Sequence, residues 1–312
     1  MKNFAITGVG GYIAPRHLQA IKETGNKLVA AIDPNDSVGI IDRYFPNASF
    51  FTEFERFDRH LEKLRRTNSP DKVDFISICS PNNLHDAHIR LALRVGADAI
   101  CEKPLVLNPW NLDALEELEH ESGKKVYTIL QLRVHPSLIK LKSEIEEAIL
   151  KDNNIKFNVE LNYITARGIW YDYSWKGNKE KSGGVATNIG VHFFDLLIWL
   201  FGQPKHSQVI ESKIRSAKGE LELKNADVKW FLSINFNDLP DEIKKINENN
   251  PEKQITTYRS IKINNKEIEF TEGFTNLHTV VYKETLAGKG FGIPDARPAI
   301  DLVYKIRNEI NF

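Results

Sequence analysis

Cysteine is scarce in this chain, with two among 312 residues, Cys79 and Cys101. Each closes an apolar run, so both are expected as small buried thiols at strand ends. A disulfide framework of the kind that staples small secreted domains is excluded. Net charge is lacking too, because 42 Lys and Arg stand against 42 Asp and Glu. Without a diffuse basic field, sequence-independent nucleic-acid binding has no electrostatic footing. The short run Lys63-Leu64-Arg65-Arg66 reads as a solvated helix face. No apolar run approaches the roughly 20 residues of a membrane-spanning helix. The most apolar stretch, Phe193 to Phe201, is short and contains Asp195. The opening Met1-Lys2-Asn3-Phe4-Ala5-Ile6-Thr7 turns to glycine too soon for a secretory signal core. These absences point to a cytoplasmic protein with neither a nucleic-acid nor a membrane partner. At 41% hydrophobic and 27% charged residues, the composition is that of a folded globular chain.

The length predicts two domains. From Phe4 to about Leu130, short apolar runs alternate with helical patterns. The runs are Phe4–Thr7, Leu28–Ile32, Phe75–Cys79, Ala99–Cys101 and Val126–Leu130, and helical spacing marks His85–Val95 and Trp110–Glu121. Continuous apolar strands separated by helices predict a Rossmann-type doubly wound parallel sheet, assigned to residues 1–132. Beyond it the texture changes. Phe157 to Tyr163 alternates apolar and polar, as a half-solvated antiparallel strand should, and residues 228–236 and 260–270 do the same. Residues 133–312 are therefore assigned to an α+β domain with one open mixed or antiparallel sheet. Residues 238–254 read as a loop or exposed insertion, and helices are expected over 276–286 and 295–308.

Gly8-Val9-Gly10-Gly11-Tyr12-Ile13 follows the first strand and opens a helix. Glycines here permit positive φ and let backbone N–H groups approach a pyrophosphate at the helix N-terminus. Ile13 stands where the dinucleotide fingerprint has its third glycine, so an ordinary strand-to-helix turn is the bland alternative. Asp33, with Asn35 after it, ends the second strand, at a distance that suits a ribose-binding acid. A carboxylate there accepts ribose hydroxyls and repels a 2′-phosphate, which favours NAD over NADP. Two later strand ends carry Ser80-Pro81-Asn82-Asn83-Leu84-His85 and Glu102-Lys103-Pro104, and Gln131 follows the last run. Ligands of such sheets sit beyond the carboxyl ends of the strands, where these groups converge. His85 and His88 have zinc-ligand spacing but no third ligand nearby, so no metal is expected.

Taken together these residues resemble the glucose–fructose oxidoreductase / inositol dehydrogenase family, Gfo/Idh/MocA. The carriers are the glycine turn, Pro81-x-x-x-His85, Glu102-Lys103-Pro104 and the stretch Gly183-Gly184-Val185-Ala186-Thr187-Asn188-Ile189-Gly190-Val191-His192. Within the family, Tyr12–His17, Asp36–Asp42 and Thr187–Phe193 are similar to one branch. That branch oxidises the C3 hydroxyl of UDP-N-acetyl-glucosaminuronic acid to the 3-keto sugar with NAD. It serves bacterial surface-polysaccharide (lipopolysaccharide O-antigen) synthesis. The resemblance implies an NAD site of Gly8, Gly10, Gly11, Tyr12, Ile13, Asp33, Asn35, Ser80, Asn82, His85, Glu102, Lys103 and Gln131. It implies a UDP-sugar site of Lys103, Arg133, Arg167, Tyr171, Lys176, Asn188 and His192, with Lys103 and His192 catalytic. Either could take the hydroxyl proton; a histidine titrates near neutrality unaided, whereas a lysine needs burial or a positive neighbour. Asn188 departs from the family's usual aspartate, one helical turn before His192, and can orient a ring but not stabilise its charged form. Also implied are a homo-oligomer, dimer or tetramer, built by sheet-face pairing, and a 2-oxo acid that reoxidises NADH. Another sugar or inositol dehydrogenase of this fold, or a non-catalytic NAD-binding regulator, are the competing readings.

Overall fold

Runs of small and β-branched side chains with no polar face are stable as strands only where both faces are covered. In the computed structural model, which describes residues 1–250, 252–268 and 276–312, this is how the first half folds. Its strands are β1 (Asn3–Thr7), β2 (Lys27–Ile32), β3 (Ser49–Phe51), β4 (Phe75–Ile78), β5 (Asp98–Cys101) and β6 (Val126–Thr128). All run parallel in the order β3-β2-β1-β4-β5-β6. The order reverses between β1 and β4, which opens a crevice at their carboxyl ends, as in doubly wound folds. Phe4, Ile6, Ile76 and Ile78 are wholly buried on these two strands. Cys79 and Cys101 are buried free thiols, as expected. The three-residue β3 is too short to show any period and was not anticipated.

The division of the chain differs from a single cut at 132/133. One compact unit comprises Met1–His135 and Gly273–Arg297, the other Pro136–Glu272 and Pro298–Phe312. The return is made by the helix Leu277–Leu286, which packs on the helix Ala14–Glu23. Its Val281 and Tyr282 are wholly buried in the core formed by Phe4, Ile6 and Leu18. The Tyr282 ring stacks on Phe4 with centroids 5.9 Å apart. Linear composition carries no trace of so distant a return.

The second unit holds β7 (Phe157–Thr165), β8 (Pro204–Ser212), β9 (Ser216–Leu223), β10 (Ala226–Ser233), β11 (Thr257–Ile263) and β12 (Lys266–Glu267). They form one sheet in the order β12-β11-β7-β10-β9-β8. β7 pairs antiparallel with β11 but parallel with β10, so the strand expected to be antiparallel is the seam of a mixed sheet. Alternation reports one solvated face, not the direction of a neighbour. Phe157, Val159 and Leu161 face inward, while Asn158 and Glu160 are exposed. The helix Val191–Phe201 covers the apolar face, with Phe194 edge-on to Trp230 at 5.4 Å. It is apolar all round because it is buried. No single helix among the described residues is long and apolar enough to cross a membrane, although this helix with the bent segment before it passes on length and composition.

Residues 241–249 are a helix, where a loop was expected. Its Asn247 bonds the Ile255 main chain in both directions, at 2.9 and 2.6 Å, which ties the insertion down. The alternation expected over 260–270 is divided between β11 and β12, and its last two residues lie outside those described. The two closing helices are Leu277–Leu286 and Ile293–Arg307, within three residues of expectation.

Tyr282→Ala should cost about 3–5 kcal/mol, the usual range for deleting a buried aromatic. Chemical denaturation followed by tryptophan fluorescence and circular dichroism checks it. An unchanged midpoint would show that the returning helix is not part of the first core.

Candidate active site

The turn after β1 is built by glycines for steric reasons that the coordinates make explicit. Gly8 has φ of +74°, and a Cβ there would lie 2.6 Å from the Cys79 carbonyl oxygen. A Cβ on Gly10 would press on the Asp33 carboxylate at 3.2 Å. That carboxylate is oriented by two backbone donors, Gly10 N–H to Oδ2 and Asn35 N–H to Oδ1, both at 2.9 Å. Ile13 caps the helix Ala14–Glu23 and packs on the core, so a side chain is accommodated where the fingerprint has glycine. Tyr12 beside it is 88% exposed. In the first turn of this helix the Ala14 and Arg16 amides donate to the Gly11 and Ile13 carbonyls, at 3.2 and 3.0 Å, and Pro15 has no N–H.

The ends of β4 and β5 are laced together by His85. Its Nδ1 lies 2.7 Å from the Pro104 carbonyl oxygen and its Nε2 lies 2.9 Å from that of Ser80. Burial pulls the pKa of His85 down, while two carbonyl partners that can only accept pull it up. Ser80 and Asn82 are buried, and Ser80 Oγ bonds His88 Nδ1 at 2.8 Å. Gln131, in the turn after β6, keeps a buried Oε1 that accepts no hydrogen bond among the described residues. An orphaned acceptor there, with the glycine cradle and the oriented Asp33, fits a dinucleotide whose amide end supplies N–H donors. Lys103 is half-buried, and its backbone N–H donates to Glu102 Oε2 at 3.2 Å. Arg133 is engaged internally: its guanidinium bonds Asp295 Oδ1 at 3.2 Å and stacks on Phe291.

Glu102 itself is turned inward, into a chain of side chains that the sequence reading missed. Ser77 Oγ and Tyr282 OH lie 2.6 Å apart, and Tyr282 OH lies 2.7 Å from His17 Nδ1. His17 Nε2 and His278 Nε2 each lie 2.9 Å from Glu102 Oε1. One proton arrangement satisfies every partner: Tyr282 donates to His17 Nδ1, and both rings donate through Nε2–H to the carboxylate. Burial alone would push the Glu102 carboxyl up, but these two donors outweigh it and hold it well below the usual carboxylate range. Burial also pulls His17 down, consistent with a neutral ring. The three ligating atoms lie within 4.8 Å of one another, as metal ligands would. Here, however, they are already spent on hydrogen bonds. No spacing rule reaches partners 85 and 176 residues apart.

In the second unit, His192 occupies the first turn of the helix Val191–Phe201 and is half-buried. Gly190 before it is obligatory, since a Cβ would lie 2.5 Å from both the Ala186 oxygen and Leu232 Cδ1. Asn188 closes a separate short helix, Gly184–Asn188, and the chain bends by 44° before His192. The expected single helical face for Asn188 and His192 is thus interrupted at Ile189–Gly190. Asn188 Nδ2 donates instead to the buried Tyr171 hydroxyl at 2.7 Å. Arg167 is exposed on the loop after β7. The Lys176 ammonium sits over Trp170 and Trp175 at 5.4 and 5.2 Å, and burial with Arg167 nearby lowers its pKa. Arg215, also unanticipated, pins this loop through Asp172 at 2.7 and 2.6 Å and the Arg167 carbonyl at 2.6 Å.

Strand order, glycine turn and terminal acid define a dinucleotide-binding α/β protein. Residues 2–129 match the model of an oxidoreductase family, NAD-binding Rossmann fold, and residues 152–238 match that family's C-terminal alpha/beta domain. The chain belongs to the Gfo/Idh/MocA oxidoreductase family, and its first half is the family's NAD-binding domain. Two crystal structures of the WlbA (WbpB) dehydrogenase from Thermus thermophilus are 50% identical over 98% of this chain and 95% of theirs, with TM-scores of 0.91 and 0.90. One is a complex with NAD and α-ketoglutarate, the other with NAD and UDP-GlcNAcA. The WlbA dehydrogenase of Bordetella pertussis shares the fold at 19% identity and a TM-score of 0.76. Curated relatives include the oxidoreductase YteT of Bacillus subtilis, 25% identical over 65% of this chain and 47% of its own length. The D-glucoside 3-dehydrogenase of Escherichia coli is 27% identical over 43% of this chain and 37% of its own length. The chain thus spans less than half the length of these two curated relatives.

Burial pulls the pKa of His88 down to about 4, and that of His17 down as well. An unfolded histidine takes its proton near 6.5, so the folded form refuses what the unfolded chain accepts. The corresponding stability is full above about pH 6.5 and declines as pH falls towards 4. Glu102, depressed in the fold, adds to the loss below about 4.3. Melting temperature should therefore fall steadily from pH 7 to pH 4.5, and the slope should be shallower in His88→Gln. Equal slopes in the two proteins would remove His88 from the account.

Proposed function

We propose that the protein oxidises the C3 hydroxyl of UDP-N-acetyl-glucosaminuronic acid to the 3-keto sugar, as a step in making a bacterial surface polysaccharide such as O-antigen. The observation that carries this reading is half-identity, over nearly the whole of both chains, to a dehydrogenase crystallised with NAD and UDP-GlcNAcA. NAD, when bound, accepts the hydride from the sugar carbon. Asp33 takes the adenine-ribose hydroxyls, and the turn from Gly8 to Ile13 receives the pyrophosphate. Asn35, Ser80, Asn82, His85 and Gln131 complete that site in this reading, with Glu102 acting through the Lys103 main chain. His192 and Lys103 handle the hydroxyl proton, and His192 is the better base because its ordinary pKa needs less tuning. Asn188 and Tyr171 form one hydrogen-bonded pair on the approach to His192.

The loop from Arg167 to Lys176 mixes cations and aromatic rings, which suits a nucleotide. A 2-oxo acid that takes the hydride back from NADH belongs to the same reading, supported by the relative's complex with α-ketoglutarate. So does a homo-oligomer, dimer or tetramer, paired through the open face of the second sheet. That face presents both signs of charge, with Glu160, Glu220, Lys229 and Lys262 lining one shallow depression.

Following reduced-nicotinamide absorbance with UDP-linked uronate, UDP-N-acetylglucosamine, free hexoses and inositols tests the reading. The uronate should have a kcat/KM at least tenfold above UDP-N-acetylglucosamine, a difference of about 1.4 kcal/mol. Preference for an inositol or a free sugar would overturn it. His192→Ala and Lys103→Ala should each lower kcat by about 10²-fold. Asp33→Ala should weaken NAD and narrow its preference over NADP, and tighter NADP binding by the unmodified protein would contradict the role of Asp33.

A further inference from the structure

We infer that Arg259 is the specificity residue that holds the carboxylate of the sugar, an inference that rests on the function proposed above. β11 runs antiparallel to β7 with Ile261 opposite Leu161 and Arg259 opposite Tyr163. Residues opposite one another share a face of the sheet, so all four side chains lie on the face that the helix Val191–Phe201 covers. Leu161 and Ile261 are buried beneath that helix, whereas the next pair, Tyr163 and Arg259, is only half-buried. The cover ends at this pair, and His192 stands at the same end of the helix. The inward positions of β11 thus read Arg259, Ile261, Ile263, with a cation where the alternation calls for an apolar residue.

Two rings connect Arg259 to His192. Tyr163 meets the His192 ring edge-on at 5.7 Å, and Phe193 lies 4.2 Å from His192 and 4.7 Å from Tyr163. The guanidinium carbon of Arg259 lies 5.9 Å from the Tyr163 centroid and 6.0 Å from that of Phe193. His192 and Arg259 therefore flank the same pair of rings. On a pyranose, C3 and C5 both neighbour C4, so the C3 hydroxyl and the carboxylate on C5 flank the C4 substituent on one edge of the ring. A sugar with C3 at His192 thus carries its carboxylate along the same edge, two ring atoms away, towards a cation that flanks the same rings.

A planar guanidinium beside aromatic rings is weakly hydrated and grips a carboxylate in two parallel hydrogen bonds. Burial of Arg259 lowers its pKa, partly offset by the Tyr163 hydroxyl, and the group keeps its charge. The other cations are less suited. Arg167 is exposed, and Lys176 is a point charge on the aromatic loop.

The test compares UDP-linked uronate with UDP-N-acetylglucosamine in the unmodified protein, Arg259→Gln, Arg259→Lys and Arg167→Ala, by steady-state rates and by calorimetric binding with NAD present. Arg259→Gln should raise KM for the uronate by tenfold or more and leave KM for UDP-N-acetylglucosamine within about threefold. Arg259→Lys should fall between, and Arg167→Ala should keep the preference. A folded Arg259→Gln that retains the full preference in rate and binding overturns the proposal. A crystal structure of the uronate complex gives the answer without substitution. The carboxylate should lie within hydrogen-bonding reach of Arg259, and its seat on Arg167 or Lys176 would overturn the proposal. Should the unmodified protein bind both sugars equally yet oxidise them, Arg259 loses this role while the dehydrogenase reading stands. Turnover of neither sugar, with the uronate still bound through Arg259, would instead sink the dehydrogenase reading.

Discussion

A carboxylate taken out of water must find compensation or give up its charge. Glu102, 7% exposed, finds it in two imidazole N–H groups and in the main chain of the next residue. Much of the first unit depends on that arrangement. One donor comes from the helix after the glycine turn, the other from the helix that returns near the end of the chain. The same charge therefore ties both helices to the strand end that carries Lys103. Tyr282 and Ser77 extend the network to β4, the strand beside the topological switch. Removing any one partner would leave a buried polar group unsatisfied, which is why the network rigidifies what it touches.

The second unit uses a different constraint. Its sheet is covered on one face by a helix with scarcely any polar surface, and the approach is so close that Gly190 admits no side chain. That tight entry turns the chain after Asn188 and sets His192 at the edge of the covered face. Rings from the sheet and the helix then surround the histidine, and a cation on the neighbouring strand meets the same rings. Close packing here serves orientation, which the proton acceptor proposed above would need.

The parallel sheet was legible in the sequence because strands buried on both faces are written as continuous apolar runs, as at Phe75 to Cys79. The glycine turn and Asp33 were legible because their steric and hydrogen-bonding demands are local. β8 was not, since only Ser207 of its nine residues is buried, and the alternation from Lys218 to Leu223 in β9 was missed. The bend between Asn188 and His192 was hidden because a glycine within an apolar stretch is compatible with a continuous helix. His17, His278 and Tyr282 could not be assembled from spacing, because only tertiary packing brings them to Glu102. Arg259 did leave a mark, as a cation out of phase in an otherwise alternating strand, but its meaning depends on the face it shares with Tyr163.

In the proposed reaction the sugar's C3 hydrogen leaves as hydride to a bound nicotinamide. The most direct measurement uses UDP-linked uronate deuterated at C3, incubated with the protein and NAD, and mass spectrometry of the nucleotide and the sugar. Deuterium on the reduced nicotinamide and a ketone at C3 of the sugar are the expected products. Deuterium retained in the sugar, or released to solvent with the nicotinamide unlabelled, would contradict the proposal.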